Sequence, residues 1–81
     1  MTRDEALALV KESIARIVPD VEFDTLAMDD KFRDVLELDS LDFLRLVEML
    51  SERTGYRIEE DDYPALTTLA DAADFLAAHA P

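Results

Sequence analysis

The chain has 81 residues, no cysteine and a formal charge of −12 from 8 basic and 20 acidic residues. This composition excludes disulfides and thiol chemistry, and so acidic a surface repels nucleic acids and anionic membranes while attracting basic patches on protein partners. With 49% hydrophobic residues and one glycine, residues 1–81 are predicted to fold as a single domain. Because no apolar run approaches a membrane span and the N-terminus lacks a signal-peptide layout, we expect a soluble, cytoplasmic protein. We also expect it to be a monomer.

The N-terminal segment is predicted to form an amphipathic helix. Thr2 and Glu5 have the spacing of a capping box, which places the start of the helix near residue 3. Pro19 is expected to end it, because the residue before a proline disfavours the helical conformation. The apolar stripe of this helix comprises Leu7, Val10, Ile14 and Ile17.

Residues 19–39 are predicted to form a long connection that is pinned to the core. This segment contains eight acidic residues, Asp20, Glu22, Asp24, Asp29, Asp30, Asp34, Glu37 and Asp39. Apolar side chains interrupt them, at Val21, Phe23, Leu26, Met28, Phe32, Val35, Leu36 and Leu38. We expect one short helical turn around Asp30–Val35. Long loops in small domains are often functional, which directs attention to the end of this segment.

A second amphipathic helix is predicted to follow the connection. Asp39 or Ser40 can cap it, and Asp42 lies three residues after Asp39, as in a capping box. Gly55, the only glycine, falls where the end of a helix requires a left-handed residue. The predicted apolar stripe comprises Leu41, Leu44, Val47 and Leu50, widened by Phe43 and Leu46.

The remaining sequence predicts one short helical turn and a last helix. Residues 59–62 are four consecutive acids, which suit the positive end of a short turn that continues through residues 63–66. Thr68 and Asp71 cap a helix from about Leu69 to Ala78, whose apolar face is Leu69, Ala72, Ala73 and Leu76. No segment alternates with the period of a strand. The predicted fold is all-α, a small four-helix bundle of three main helices and one short helix.

Catalysis and metal binding are both disfavoured by the sequence. A set of Ser40, His79 and Asp74 can be drawn, but there is no G-x-S-x-G elbow and no glycine-rich oxyanion turn. Zinc is disfavoured because there is no cysteine and one histidine. A calcium loop would have Thr25 where it needs glycine and Lys31 where it needs glutamate. We therefore predict no catalytic residue and no metal ligand.

Ser40 has two interpretations on its local sequence. A serine before an apolar helix is common capping chemistry, and the chain would then be a non-catalytic acidic helical adaptor. In the other interpretation another enzyme modifies Ser40. The start of a helix offers free N–H groups and partial positive charge, which suit a phosphodiester. Ser40 is then the attachment point of a phosphate-linked prosthetic arm.

The segment ELDSLDFLRLVEML, with Asp39-Ser40-Leu41-Asp42 at its start, resembles the attachment motif of acyl carrier proteins. The resemblance covers almost the whole chain, from the first helix through the acidic turn to the last helix. It implies that a phosphopantetheinyl transferase moves 4′-phosphopantetheine from coenzyme A onto Ser40, with magnesium assisting. The thiol of the arm would carry acyl groups as thioesters, so that residues 1–81 form a single acyl carrier domain and not an enzyme.

The resemblance also implies a surface for partner proteins on the second helix. Asp39 would help to dock the transferase, Leu41 would contact the arm, and acidic residues would meet basic patches on acyl-transferring, condensing or ligase enzymes. Positions 41, 44, 45, 48 and 52 fall along one side of a helix. The predicted partner-binding residues are Asp39, Leu41, Asp42, Arg45, Glu48 and Glu52.

The sequence departs from the family pattern at several positions. Glu37, two residues before Asp39, stands where the family usually has glycine, which raises a question about the loop geometry before the serine. Arg45 and Arg53 interrupt a helix that is often almost purely acidic in fatty-acid carriers, and Ser51 replaces another common acid. These departures favour a specialised carrier over the housekeeping fatty-acid one, while fatty-acid, polyketide and related pathways all remain open.

Overall fold

The computed structural model describes residues 1–81 as four α-helices and two short 3₁₀ helices. The α-helices are α1 (Arg3–Ile17), α2 (Phe32–Val35), α3 (Ser40–Thr54) and α4 (Leu69–His79), and the 3₁₀ helices are Phe23–Thr25 and Glu60–Leu66. Helix α1 packs against α3 and α4, and α4 contacts the second 3₁₀ helix. There are no strands, and the predicted all-α bundle with three main helices is confirmed. None of the helices has the length and apolar character needed to cross a membrane.

The predicted helix ends at α1 and α4 are confirmed by their hydrogen bonds. Thr2 Oγ1 accepts from the N–H of Glu5 at 3.1 Å, and Glu5 Oε1 accepts from the N–H of Thr2 at 2.9 Å, which completes the capping box. Thr68 Oγ1 accepts from the N–H of Asp71 at 3.0 Å. Sequence motifs for caps therefore locate these helix starts to within a residue.

The long connection is pinned to the core, as predicted. Leu26, Phe32 and Leu38 are buried within it. The N–H of Phe32 also donates to the carbonyl of Thr67 at 3.3 Å, which ties α2 to the segment before α4. The α2 turn therefore has a fixed position relative to the rest of the bundle, which also limits where the residues that follow it can lie.

The predicted apolar stripe of α3 is wrong at its start. Leu41 is 66% exposed and Leu44 is 41% exposed. The buried side of α3 is instead Phe43, Leu46, Val47, Leu50 and Thr54. Apolar residues occur on both sides of this helix, so helical periodicity alone cannot tell which set packs inward. Two leucines consequently remain on the surface within a few residues of Ser40.

An ion pair joins α1 to the end of α3. Arg53 Nη1 lies 2.8 Å from Glu12 Oε1. The hydrogen bond and the charge of Arg53 hold the pKa of the Glu12 carboxyl below its ordinary value. The pair brings the last turn of α3 against the middle of α1, while the first turn of α3 faces the connection.

Ser13 is a buried polar residue on α1 whose hydroxyl has no hydrogen-bond partner. Ser13→Ala is expected to raise the free energy of unfolding by about 1 kcal/mol, because the hydroxyl loses its hydration on folding and gains nothing in return. Urea denaturation measures this change. Ser51→Ala is the matched control and should lower stability, because Ser51 Oγ accepts from the N–H of Ile58 at 3.2 Å. A destabilised Ser13→Ala would show that the hydroxyl is paired in solution.

Candidate functional site

Helix α3 begins at the end of the acidic connection, and Asp39 caps it. Asp39 Oδ1 accepts from the N–H of Asp42 at 2.8 Å, and the backbone of Asp39 is extended, as an N-cap requires. Ser40 is the first helical residue and is exposed. Of the two predicted caps, Asp39 is therefore the cap and Ser40 is not. The Ser40 hydroxyl has no part in starting the helix.

Arg33 is the side chain that contacts Ser40. Arg33 Nη2 donates to Ser40 Oγ at 3.3 Å, and Arg33 Nε donates to the carbonyl of Leu38 at 3.4 Å. The guanidinium also lies over the ring of Phe43, 4.7 Å from its centroid. Arg33 is not among the site residues predicted from the sequence. A signal was present, since Lys31 and Arg33 are the only basic residues between Arg16 and Arg45.

The turn between α2 and α3 explains how Arg33 reaches Ser40. Glu37 has φ +54°, the only positive φ outside glycine. The N–H of Leu38 donates to the carbonyl of Arg33 at 2.9 Å, and the N–H of Glu37 donates to that of Asp34 at 3.2 Å. This is the Schellman pattern that ends a helix through a left-handed residue. The left-handed geometry thus exists at the position where the family usually has glycine, although the residue here is glutamate.

Glu37→Gly is expected to stabilise the fold. Relieving the left-handed conformation of a non-glycine residue should stabilise the fold by roughly 1–2 kcal/mol. The greater freedom of glycine in the unfolded chain should offset roughly 0.5–1 kcal/mol of this. The free energy of unfolding should therefore rise by about 0.5–1 kcal/mol. Thermal or urea denaturation measures it. Glu48→Gly, within α3, should instead lower stability by about 1 kcal/mol. Equal losses in both variants would refute the left-handed conformation of Glu37.

The predicted partner-binding residues follow one side of α3 and its cap. Leu41, Arg45, Glu48 and Glu52 are exposed along the helix, Asp39 is exposed at the cap, and Asp42 is half-buried. Arg45 Nη1 lies 3.9 Å from Asp42 Oδ1, a distance at which exposed charges interact weakly. This side of α3 therefore presents acidic, basic and apolar groups together near Ser40.

The residues of the drawn catalytic set are engaged elsewhere. Asp74 Oδ1 pairs with Arg3 Nε at 2.6 Å. The ring of His79 packs against Phe75, with ring centroids 4.6 Å apart, and against Tyr56 at 5.5 Å. Arg33 is the only side chain that hydrogen-bonds to Ser40. No base is positioned to activate this hydroxyl.

Two clefts border α3 and share Tyr63, the first beside the start of the helix and the second along its middle and end. The first has a volume of about 290 Å³ and is lined by Lys31, Arg33, Asp34, Phe43, Tyr63, Pro64, Leu66 and Thr67. The second has a volume of about 470 Å³ and is lined by Leu44, Val47, Glu48, Ser51, Glu52, Gly55, Arg57, Ile58 and Tyr63. The ring of Tyr63 meets Phe43 edge to face, with centroids 5.3 Å apart. The first cleft reaches the surroundings of Ser40 through Arg33, which lines it and contacts Ser40.

Comparisons with known proteins match this chain to one family. A family model described as the phosphopantetheine attachment site matches residues 8–76. The chain is 36% identical over 72 residues to the acyl carrier protein of Tropheryma whipplei strain Twist, covering 85% of this chain and 88% of that protein. It is 30% identical over 76 residues to the acyl carrier protein of Rubrobacter xylanophilus, covering 85% and 94%. With the acyl carrier protein of Lactobacillus johnsonii the identity is 29% over 79 residues, covering 98% of each.

No solved structure gives a significant match. The family match spans most of the chain, and the relatives are covered over most of their own lengths. The resemblance seen in the sequence is therefore confirmed. The chain belongs to the acyl carrier protein family, whose attachment domain holds a covalently bound phosphopantetheine group.

Proposed function

We propose that this chain is a carrier and not an enzyme, and that it bears 4′-phosphopantetheine on Ser40. The proposal rests on the separate roles of Asp39 and Ser40 at the start of α3. Asp39 caps the helix, so the Ser40 hydroxyl is exposed and free to be modified without loss of the cap. The cap at Asp39 also speaks against an adaptor in which Ser40 serves only as a cap.

The surroundings of Ser40 fit a phosphodiester. The only side chain bonded to its oxygen is the Arg33 guanidinium, a cation that donates hydrogen bonds and matches phosphate oxygens. The first turn of α3 adds the partial positive charge of a helix start. A permanently protonated guanidinium cannot accept the serine proton, so activation of the hydroxyl has to come from a separate transferase.

The partners that fit this surface are enzymes with basic docking patches. The excess of acidic residues would speed their encounter with the carrier. We propose a phosphopantetheinyl transferase first, and then acyl-transferring, condensing or ligase enzymes of fatty-acid, polyketide or related biosynthesis. Exposed Arg45 within the acidic side of α3 favours enzymes of a specialised pathway, since a partner selected for an all-acidic helix would meet one repelling charge there.

We also propose that residues 1–81 act as one carrier domain. A single cluster of 16 buried apolar residues draws on α1, α2, α3, α4 and the segments between them. A chain cut within this cluster would expose apolar surface on both pieces. The attachment site therefore depends on the whole bundle for its shape.

Intact mass spectrometry tests the proposed function. The purified protein is incubated with coenzyme A, magnesium and a broad-specificity phosphopantetheinyl transferase. A mass increase of one phosphopantetheine is expected. The adaptor interpretation would gain support if a folded protein that is not already modified showed no increase.

A further inference from the structure

Arg33 differs from every other arginine in the chain. Arg3, Arg16, Arg45, Arg53 and Arg57 each have a carboxylate oxygen within 4.0 Å. Arg33 has none, although the chain contains 20 acidic residues. Arg33 is half-buried, and its hydrogen bonds go to neutral oxygens of Leu38 and Ser40. A partly desolvated cation that has no paired anion is a favourable binding site for an anion.

Two contacts already hold the guanidinium in place, and a third supports one of them. The Schellman turn at Glu37 returns the chain so that the carbonyl of Leu38 accepts from Arg33 Nε. The ring of Phe43 supports the guanidinium face, and Tyr63 supports that ring from its edge. Because Arg33 is ordered before any ligand arrives, binding would cost little side-chain entropy.

The contact between Arg33 and Ser40 indicates which anion would bind. Its Nη2 contacts Ser40 Oγ, the atom that would form the ester bond to phosphorus under the proposed function. The non-bridging oxygens of that phosphate would be attached to the same phosphorus. Guanidinium groups bind phosphate oxygens with paired, charge-assisted hydrogen bonds. A phosphodiester on Ser40 would therefore meet a cation that is already in position.

We propose that Arg33 binds the phosphodiester on Ser40 and thereby positions the base of the phosphopantetheine arm at the start of α3. This inference rests on the proposed function. Arg33 also lines the cleft of about 290 Å³ together with Phe43 and Tyr63, so this cleft would be accessible from the base of the arm. Arg33 is a positioning residue here, since it contacts the link between protein and arm and not the thioester.

The surrounding charges make the effect of Arg33 measurable. A phosphodiester adds a negative charge to a chain that already carries −12, close to the carboxylates of Asp39 and Asp42. Without Arg33, repulsion from these carboxylates opposes the partial positive charge of the helix start, so loading should change stability little or lower it. With Arg33 present, loading should raise stability. The part of the increase that is lost when Arg33 is replaced therefore reports on Arg33.

The first measurement is the melting temperature of loaded and unloaded protein at low salt, with loading verified by intact mass. Loading of the parent chain is expected to raise the melting temperature by about 2 °C or more. Arg33→Gln should lose or reverse this increase, and Arg33→Lys should keep part of it because it retains the charge without the planar fork. Arg16→Gln, which removes an exposed charge on α1, should keep the whole increase.

The second measurement uses the parent chain and does not depend on a variant that folds. Loading should shift the NMR resonance of the Arg33 Nε–H group and leave that of Arg16 unchanged. If the chain accepts no arm, the proposed function fails and this inference fails with it. If the chain is loaded but neither the Arg33 resonance nor the melting temperature changes, only the role of Arg33 is overturned.

Discussion

Ser40→Ala is expected to abolish the attachment of phosphopantetheine completely, while the free energy of unfolding changes by less than about 0.5 kcal/mol. The substitution removes the only oxygen of this side chain. The fold loses one exposed hydrogen bond of 3.3 Å from Arg33, and the Asp39 cap remains. Intact mass after incubation with transferase and coenzyme A measures the first effect, and urea denaturation measures the second.

Two control variants separate attachment from stability. Ser51→Ala lies on the same helix and should accept the arm, although it loses the bond to Ile58. Asp39→Ala should lower stability by about 1 kcal/mol because it removes the cap. If Ser40→Ala were loaded to the same extent as the parent chain, the arm would be attached to another hydroxyl. A loss of about 1 kcal/mol in Ser40→Ala would instead make Ser40 part of the cap.

Helices α1 and α4 could be predicted closely from the sequence because their signals agree with each other. Each starts with a threonine cap and an acid three residues later. In α1, Val10 and Ile14 of the predicted stripe are buried, while Leu7 and Ile17 are half-buried at its edges. In α4 the stripe of Leu69, Ala72, Ala73 and Leu76 is buried as predicted. Local propensity, capping and periodicity point to the same structure in these segments, which is the condition under which sequence reasoning succeeds.

Helix α3 could be located from the sequence, but its orientation could not. Leu41 and Leu44 have the spacing of an apolar stripe. Whether they are buried depends on where α1 and the connection pack against α3, and the sequence of α3 does not carry that information. The cap was ambiguous for a similar reason. Asp39 and Ser40 are equally good caps, and only the backbone decides, since Asp39 is extended while Ser40 is helical.

The contact between Arg33 and Ser40 could not be predicted because it depends on a left-handed residue that is not glycine. Sequence reasoning associates this conformation with glycine or asparagine, and Glu37 is neither. The turn brings together two side chains seven residues apart. Departures from a local rule next to a candidate site are therefore positions to inspect first in the structure.

Leu41→Asp is expected to lower the kcat/KM of the phosphopantetheinyl transferase by about 10- to 100-fold. Leu41 is 66% exposed and lies next to Ser40, so it has no large part in the core. Covering such a leucine in a complex contributes roughly 1.5–3 kcal/mol, and each 1.4 kcal/mol corresponds to about a factor of ten in rate. Steady-state kinetics of loading, with carrier as the varied substrate, measures the effect.

The choice of aspartate makes this prediction specific to apolar contact. A new acid in the first turn of α3 favours the helix start, so the fold should not weaken. It should also attract a basic partner, so a slower reaction could not come from long-range charge repulsion. Leu41→Met, which keeps an apolar side chain of similar size, should retain the parent rate within about threefold. If Leu41→Asp were loaded as fast as Leu41→Met, the transferase would recognise this carrier through charge alone, and the exposed leucine would have no role in docking.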